Sequence, residues 1–159
     1  MKKFAILVTA ALSSAMMMAQ PAPGSFEQSW TRGPEWLRDG VIYQVYPSSY
    51  KDSDGNGIGD IRGVISKLDY IEKLGVRAIW FNPIFVSGWI DGGYDIIDFY
   101  RVDPRFGTNN DLVELVEKAH AKGIKIMLDL VAGHTSDKHP WFIQSMQDTN
   151  LQYSDYYIW

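Results

Sequence analysis

Oxygen-bearing side chains fall at alternate positions in Asp52-Ser53-Asp54-Gly55-Asn56-Gly57-Ile58-Gly59-Asp60, at 52, 54, 56 and 60, with the Ile58 carbonyl available between them. The glycines let the chain turn tightly enough to point these oxygens inward, and an oxygen cage of this kind suits a hard cation such as Ca2+. The spacing overlaps the EF-hand loop, including its sixth-position glycine, Gly57. It departs at the twelfth position, where Gly63 replaces a bidentate Glu, and residues 41–46 before it read as a strand rather than a helix. A metal loop of another kind is expected, with a solvated Asp/Gly turn as the alternative. Asp91-Gly92-Gly93-Tyr94-Asp95 offers different chemistry. A tyrosine ring and two carboxylates flanked by glycines could hold a sugar, the ring by stacking and the acids by accepting hydroxyl hydrogen bonds. Taken alone, a packed tyrosine and solvated acids explain the same residues equally well. A third segment, Asp129-Leu130-Val131-Ala132-Gly133-His134-Thr135-Ser136, ends an apolar run, and Gly133 lets His134 reach into a cleft. Lone histidines are more often structural or solvated than catalytic. His120 sits where its charge suits a helix C-terminus, His139 precedes Pro140 in an expected turn, and neither has metal spacing with His134.

These segments need elements to position them. Val41-Ile42-Tyr43-Gln44-Val45-Tyr46 is β-rich and stopped by Pro47, so a strand is expected. Ile61, Val64, Ile65, Leu68, Ile71 and Leu74 recur at helical spacing up to Gly75. Residues 76–81 form the next strand, ended by Asn82-Pro83, and a long loop is expected over 84–107. Thr108 or Asn109 caps a second helix whose buried face is Leu112, Leu115, Val116 and Ala119, with Gly123 ending it. Residues 124–131 are mostly apolar, as in a parallel strand covered on both faces. Strand–helix–strand–helix–strand is an α/β pattern with a parallel sheet. The segments after strands are long and polar while those after helices are single glycine turns. That asymmetry favours a barrel over an open sheet, with function at the strand C-termini.

The chain has no cysteine, which excludes disulfides, thiolate metal sites and a cysteine nucleophile. A net charge of −4 provides no basic patch for nucleic acid. Six Trp and nine Tyr allow sugar-stacking platforms, although core packing accounts for most aromatics. Met1-Lys2-Lys3, the uncharged apolar stretch 4–18 and the break Gln20-Pro21-Ala22-Pro23-Gly24 follow signal-peptide grammar. Cleavage after Ala19 is the first choice and after Ala15 the second, against an uncleaved anchor helix. The expected organisation is a signal peptide at 1–19, a linker at 20–35, a main domain at 36–134 and a further segment at 135–159. Secretion or periplasmic export follows, with no membrane attachment after cleavage.

Over residues 36–159 the chain resembles glycoside hydrolase family 13, the α-amylase family. The resemblance rests on Val41 to Pro47, the 52–60 loop, Gly93-Tyr94-Asp95-Ile96 with Phe106-Gly107-Thr108, the 129–134 segment and Asp155-Tyr156-Tyr157-Ile158-Trp159, in the family's order. The nearest look is to the oligo-1,6-glucosidase and α-glucosidase branch. One departure is Gly133, where the family usually has Asn. The resemblance implies the first three β/α units of a (β/α)8 TIM barrel, with an inserted domain beginning after the third strand, from about residue 135. It implies Ca2+ or Mg2+, in a structural role, on Asp52, Asp54, Asn56, the Ile58 carbonyl and Asp60. It also implies that Tyr94 stacks on the sugar, His134 hydrogen-bonds it, Asp91 and Asp95 contribute to the subsite, and Asp129 braces it. The implied substrate is an α-glucan or α-glucoside, and the implied activity of the full-length parent is retaining hydrolysis of α-glucosidic bonds. Nucleophile and general acid are expected beyond residue 159, so these residues alone are expected to be inactive and aggregation-prone. The competing expectation is a carbohydrate-binding or interaction protein of the same superfamily without catalysis; a calcium-dependent scaffold module leaves the buried strands unexplained.

Overall fold

Alternate residues of a strand face opposite sides, and the pairing register turns this alternation into rows across a sheet. The computed structural model of the protein describes residues 33–38, 40–147 and 152–159. The expected signal peptide and most of the expected linker lie outside the described residues. The chain divides into two units, Met1–Asp39 and Gly40–Trp159. In the first, the described part holds a single helical turn, α1 (Glu35–Arg38).

The second unit contains β1 (Val41–Val45), α2 (Pro47–Tyr50), α3 (Ile61–Ile65), α4 (Leu68–Lys73), β2 (Val76–Phe81), β3 (Phe85–Ser87) and β4 (Ile96–Val102). It continues with α5 (Asn109–Ala121), β5 (Lys125–Leu128), α6 (Pro140–Gln147) and a 3-10 turn at Ser154–Tyr156. Strands β1, β2 and β5 form a parallel sheet with β2 in the middle. Tyr43, Ile79 and Ile126 lie in one row, and their faces pack with Val45 and Phe81 against Ile61, Val64, Leu68 and Ile71 of α3 and α4 and Leu115 and Ala119 of α5. The opposite row, Gln44, Trp80 and Met127, stays open to solvent, with Trp80 and Met127 each 37% exposed.

Several expectations change. The helix expected over 61–74 breaks at Ser66–Lys67, where the Ser66 hydroxyl donates back to the Gly63 carbonyl at 2.6 Å and competes with the helical ladder. Leu74 follows the last helical residue and is exposed. The long loop over 84–107 holds an antiparallel hairpin, β3 with β4, whose register slips twice. The third parallel strand is four residues, not eight, and Lys125, Met127 and Leu128 are exposed. Among the described residues it pairs only with β2, and the exposed row of Gln44, Trp80 and Met127 leaves one sheet face uncovered. Thr108, not Asn109, caps α5, in a reciprocal box: its hydroxyl accepts from Asp111 N at 3.2 Å, and Asp111 Oδ2 accepts from Thr108 N at 2.8 Å. Such caps contribute about 1 kcal/mol.

Helix α6 also falls where only a turn is expected. Pro140 opens it, as proline suits a first helical position. His139 caps it, with Nδ1 accepting from Trp141 N at 3.1 Å. The imidazole is buried beside the rings of Phe99 on β4 and Trp141. Burial pushes its pKa below the ordinary 6.5, opposed by Asp98, which is itself paired with Arg101 at 3.5 Å. Protonation would replace the Nδ1 acceptor with a donor, so the folded state favours the neutral ring. The unfolded chain then binds more protons below the ordinary value, and this contribution to stability is present above pH 6.5 and lost as pH falls through it. Thermal melts between pH 7 and pH 5 should therefore show a falling midpoint, and His139→Asn, which can still cap, should flatten that part of the slope.

Candidate functional site

The loop 52–60 is organised by its own acids. Asp52 accepts from the backbone N–H groups of Asp54 at 3.1 Å, Gly55 at 2.7 Å and Gly57 at 2.8 Å. Gly55 and Gly57 have φ of +82° and +89°, which is why glycine occupies both positions. The N–H groups of Gly57 and then Gly55 hold the Asp52 carboxyl below its usual pKa. Asp54 accepts from Asn56 N and Nδ2, both at 3.1 Å, and Asn56 Oδ1 accepts from Ile58 N at 2.8 Å. Ile58 anchors the loop by packing its side chain on the core. Asp60 is buried, accepts from Ser53 N at 2.8 Å and caps α3 by accepting from Gly63 N at 2.7 Å.

Carboxylate oxygens of Asp52, Asp54 and Asp60 lie within 4.8 Å of one another. Three carboxylates this close repel one another, and a cation between them would offset that repulsion. The donors are all oxygen, so these residues fit a hard cation, and Asn56 sits on the same loop.

A second set of side chains meets at the C-terminal ends of the parallel strands. The Tyr94 hydroxyl donates to Asp129 Oδ2 at 2.8 Å and accepts from Asn82 Nδ2 at 3.1 Å. Asp129 Oδ1 accepts from Trp80 Nε1 at 2.5 Å, and Asn82 Oδ1 accepts from Gln44 Nε2 at 3.1 Å. One polar chain, Gln44–Asn82–Tyr94–Asp129–Trp80, thus spans all three strands. The hydrogen bond to Asp129 is the main reason that the Tyr94 phenol is pushed above its ordinary pKa, with burial second. Among the described residues the Asp129 carboxylate bonds Tyr94 and Trp80 alone and holds both in place. Sequence reasoning missed Gln44, Trp80 and Asn82. Their signal is position: a glutamine inside an apolar strand, and polar-capable residues at the end of the next.

The remaining candidates are distributed differently. Asp91 is exposed, on the same loop as Tyr94, whose N–H bonds the Asp91 carbonyl at 2.9 Å. Asp95 is buried, and its carboxylate accepts from Ile90 N and Asp91 N, both at 3.2 Å. It therefore holds the loop from beneath and does not face outward beside Tyr94. His134 is exposed and shares no hydrogen bond with Tyr94 or Asp129 among the described residues. It lines an open hollow of about 620 Å³ together with Leu130, Trp141, Phe142, Tyr156 and Tyr157.

The fold is shared with known proteins. The model of the α-amylase catalytic domain matches residues 44–159. The chain belongs to the α-amylase family, glycoside hydrolase family 13, and its three parallel strands are the first three β/α units of that family's barrel. Oligo-1,6-glucosidase of Heyndrickxia coagulans is 49% identical over 125 residues, covering 79% of this chain and 22% of that protein. The crystal structure of trehalose-6-phosphate hydrolase from Bacillus licheniformis superposes with a TM-score of 0.77 at 49% identity, covering 80% of this chain and 23% of the other. Isomaltulose synthase from Klebsiella sp. LX3 superposes with a TM-score of 0.76 at 48% identity, covering 79% and 23%. The chain spans less than a quarter of the length of these relatives.

Replacing Asp129 by Asn removes the negative charge beside the Tyr94 phenol while keeping the side chain's shape. The phenolate is then no longer disfavoured by a neighbouring carboxylate. Tyr94 should ionise at lower pH, back toward 10, in an NMR titration of labelled tyrosine in which its resonance is assigned by Tyr94→Phe.

Proposed function

We propose that the protein carrying these residues is an exported, retaining glycoside hydrolase acting on α-glucosidic bonds of oligosaccharides. The observation that carries the reading is the Asp129 carboxylate holding the Tyr94 hydroxyl at the common C-terminal edge of three parallel strands. Barrel enzymes keep their chemistry at that edge. The 48–49% identity to an oligo-1,6-glucosidase, a trehalose-6-phosphate hydrolase and an isomaltulose synthase supports a small α-linked substrate.

In this reading the Tyr94 ring supports the apolar face of the glucosyl unit, its tilt fixed by the bonds from its hydroxyl to Asn82 and Asp129. Asp91, exposed on the same loop, accepts hydroxyl hydrogen bonds of that sugar, and His134 donates to it from the segment after β5. Asp95 and Asp129 set the positions of these groups. Retaining hydrolysis needs a carboxylate nucleophile and a carboxylic acid about 5–5.5 Å apart, flanking the bond. Neither is assigned to Asp91, Asp95 or Asp129: Asp95 and Asp129 are engaged as braces, and the pair belongs to later strands of the barrel. Asp52, Asp54, Asn56, the Ile58 carbonyl and Asp60 of the 52–60 loop would hold a structural Ca2+ or Mg2+, which would neutralise the clustered carboxylates and stiffen the loop before α3. Export rests on the charge and hydropathy pattern of residues 1–19.

The full-length protein, recovered outside the cytoplasm with Gln20 as its first residue, should cleave p-nitrophenyl α-glucoside. Proton NMR of the first turnovers should show α-glucose as the initial product; initial β-glucose, or no cleavage, would contradict the reading. The cation is tested separately through stability. Added Ca2+ or Mg2+ should raise the melting midpoint, since a ligand at a hundred times its Kd stabilises the folded state by about 2.7 kcal/mol. EDTA should reverse the rise, and Asp54→Ala should abolish it.

A further inference from the structure

Among the described residues Trp89 alone has a positive φ without being glycine, at +58°. An L-residue with a bulky side chain is disfavoured there, and glycine would occupy the position freely. The backbone has a reason for the conformation. It turns the next two N–H groups, of Ile90 and Asp91, toward the two oxygens of the Asp95 carboxylate. Gly88 wraps the same carboxylate so closely that a Cβ would stand 2.5 Å from Asp95 Oδ2. None of this calls for an indole.

The indole is held from several sides. Its Nε1 donates to Asp103 Oδ2 at 2.9 Å, and the Arg105 guanidinium lies 4.2 Å from the ring centroid. The fully buried Phe106 meets it edge-on with centroids 5.4 Å apart. The far edge of the ring, Cη2, lies 3.6 Å from where a Cβ on Gly93 would stand. The floor of this socket is fixed: Asp103 is buried and its N–H bonds the Ile84 carbonyl at 2.8 Å, and the Phe106 carbonyl accepts from Ile61 N at 2.9 Å. Trp89 thus joins this floor to the loop that carries Asp91 and Tyr94.

We propose that Trp89 is a positioning residue for the sugar subsite: its indole, locked to Asp103, Arg105 and Phe106, sets where Asp91 and Tyr94 stand. The proposal rests on the glucosidase reading of that subsite. It explains why a strained position carries a tryptophan, since the conformation serves the Asp95 turn and the side chain serves the anchor. Asp91 and Tyr94 reach the ligand; Trp89 does not.

Two variants of the full-length protein separate positioning from general stability. Trp89→Gly adopts the backbone conformation freely but has no anchor. Trp89→Phe keeps a ring and the strain but loses the bond to Asp103. With p-nitrophenyl α-glucoside, and counting only folded protein, kcat/KM should fall about tenfold or more in the glycine variant and by less in the phenylalanine variant, since small displacements of binding groups lower rates steeply. A residue that merely stabilises the fold would lower the melting midpoint and leave kcat and KM of the folded enzyme unchanged, and that result overturns the proposal. If the glycine variant does not fold, the phenylalanine variant decides in the same way. A wild-type protein inactive on the glucoside sinks the glucosidase reading instead. The Tyr94 resonance of 3-fluorotyrosine-labelled protein then reads the positioning: displacement in the Trp89 variants supports it, and an unmoved resonance overturns it.

Discussion

Parallel pairing forces strands to finish on the same side, and the polar site around Tyr94 depends on that. β1 and β2 are in register from Ile42 and Ala78 to Val45 and Phe81, and β2 and β5 from Ala78 and Lys125 to Phe81 and Leu128, so Gln44, Asn82 and Asp129, spread over more than eighty positions, arrive at one edge. The cores of α3, α4 and α5 press on one sheet face and make the alignment rigid. The polar chain from Gln44 to Trp80 is then a product of topology. No local sequence feature brings these residues together.

The edge is supplied from a second direction by the β3–β4 hairpin. Its connecting segment carries Tyr94 over the strand ends, and Asp95 beneath keeps that segment folded on itself. Rigid strands and a strapped loop thus meet at a single phenol. The open row of Gln44, Trp80 and Met127 lies opposite the helix-covered face, on the side that in a (β/α)8 barrel looks inward.

Much of this is legible in the sequence. The helical and parallel-strand segments announced themselves by period, although the first helix is broken at Ser66–Lys67, and Thr108 and Asn109 both stood as caps for α5. The acid spacing of 52–60 pointed to a convergent loop, and three of its carboxylates do converge. The hairpin was hidden because β3 has only three residues and its register slips, so neither strand alternates cleanly. Helix α6 was hidden because its cap is a buried histidine rather than Ser, Thr, Asp or Asn. Asp95 was legible as an acid near the subsite, but not as a buried brace, because burial is a property of the whole loop and not of the residue type. The bond from Trp80 to Asp129 crosses forty-nine positions and leaves no trace in local pattern.

The two ends of the 52–60 loop are clasped without any covalent link. Gly59 N bonds the Ser48 carbonyl at 2.8 Å and Asp60 N bonds the Lys51 carbonyl at 3.0 Å. Gly63 lies so close that a Cβ would stand 1.9 Å from the Lys51 oxygen. Two stretches of main chain touch there with no side chain between them. In many exported proteins such a closure is made by a pair of cysteines, whose bond answers to the thiol balance of the compartment. This clasp contains no sulfur, so reductants and thiol-exchanging enzymes have nothing to act on, and the loop stays closed in reducing and oxidising surroundings alike.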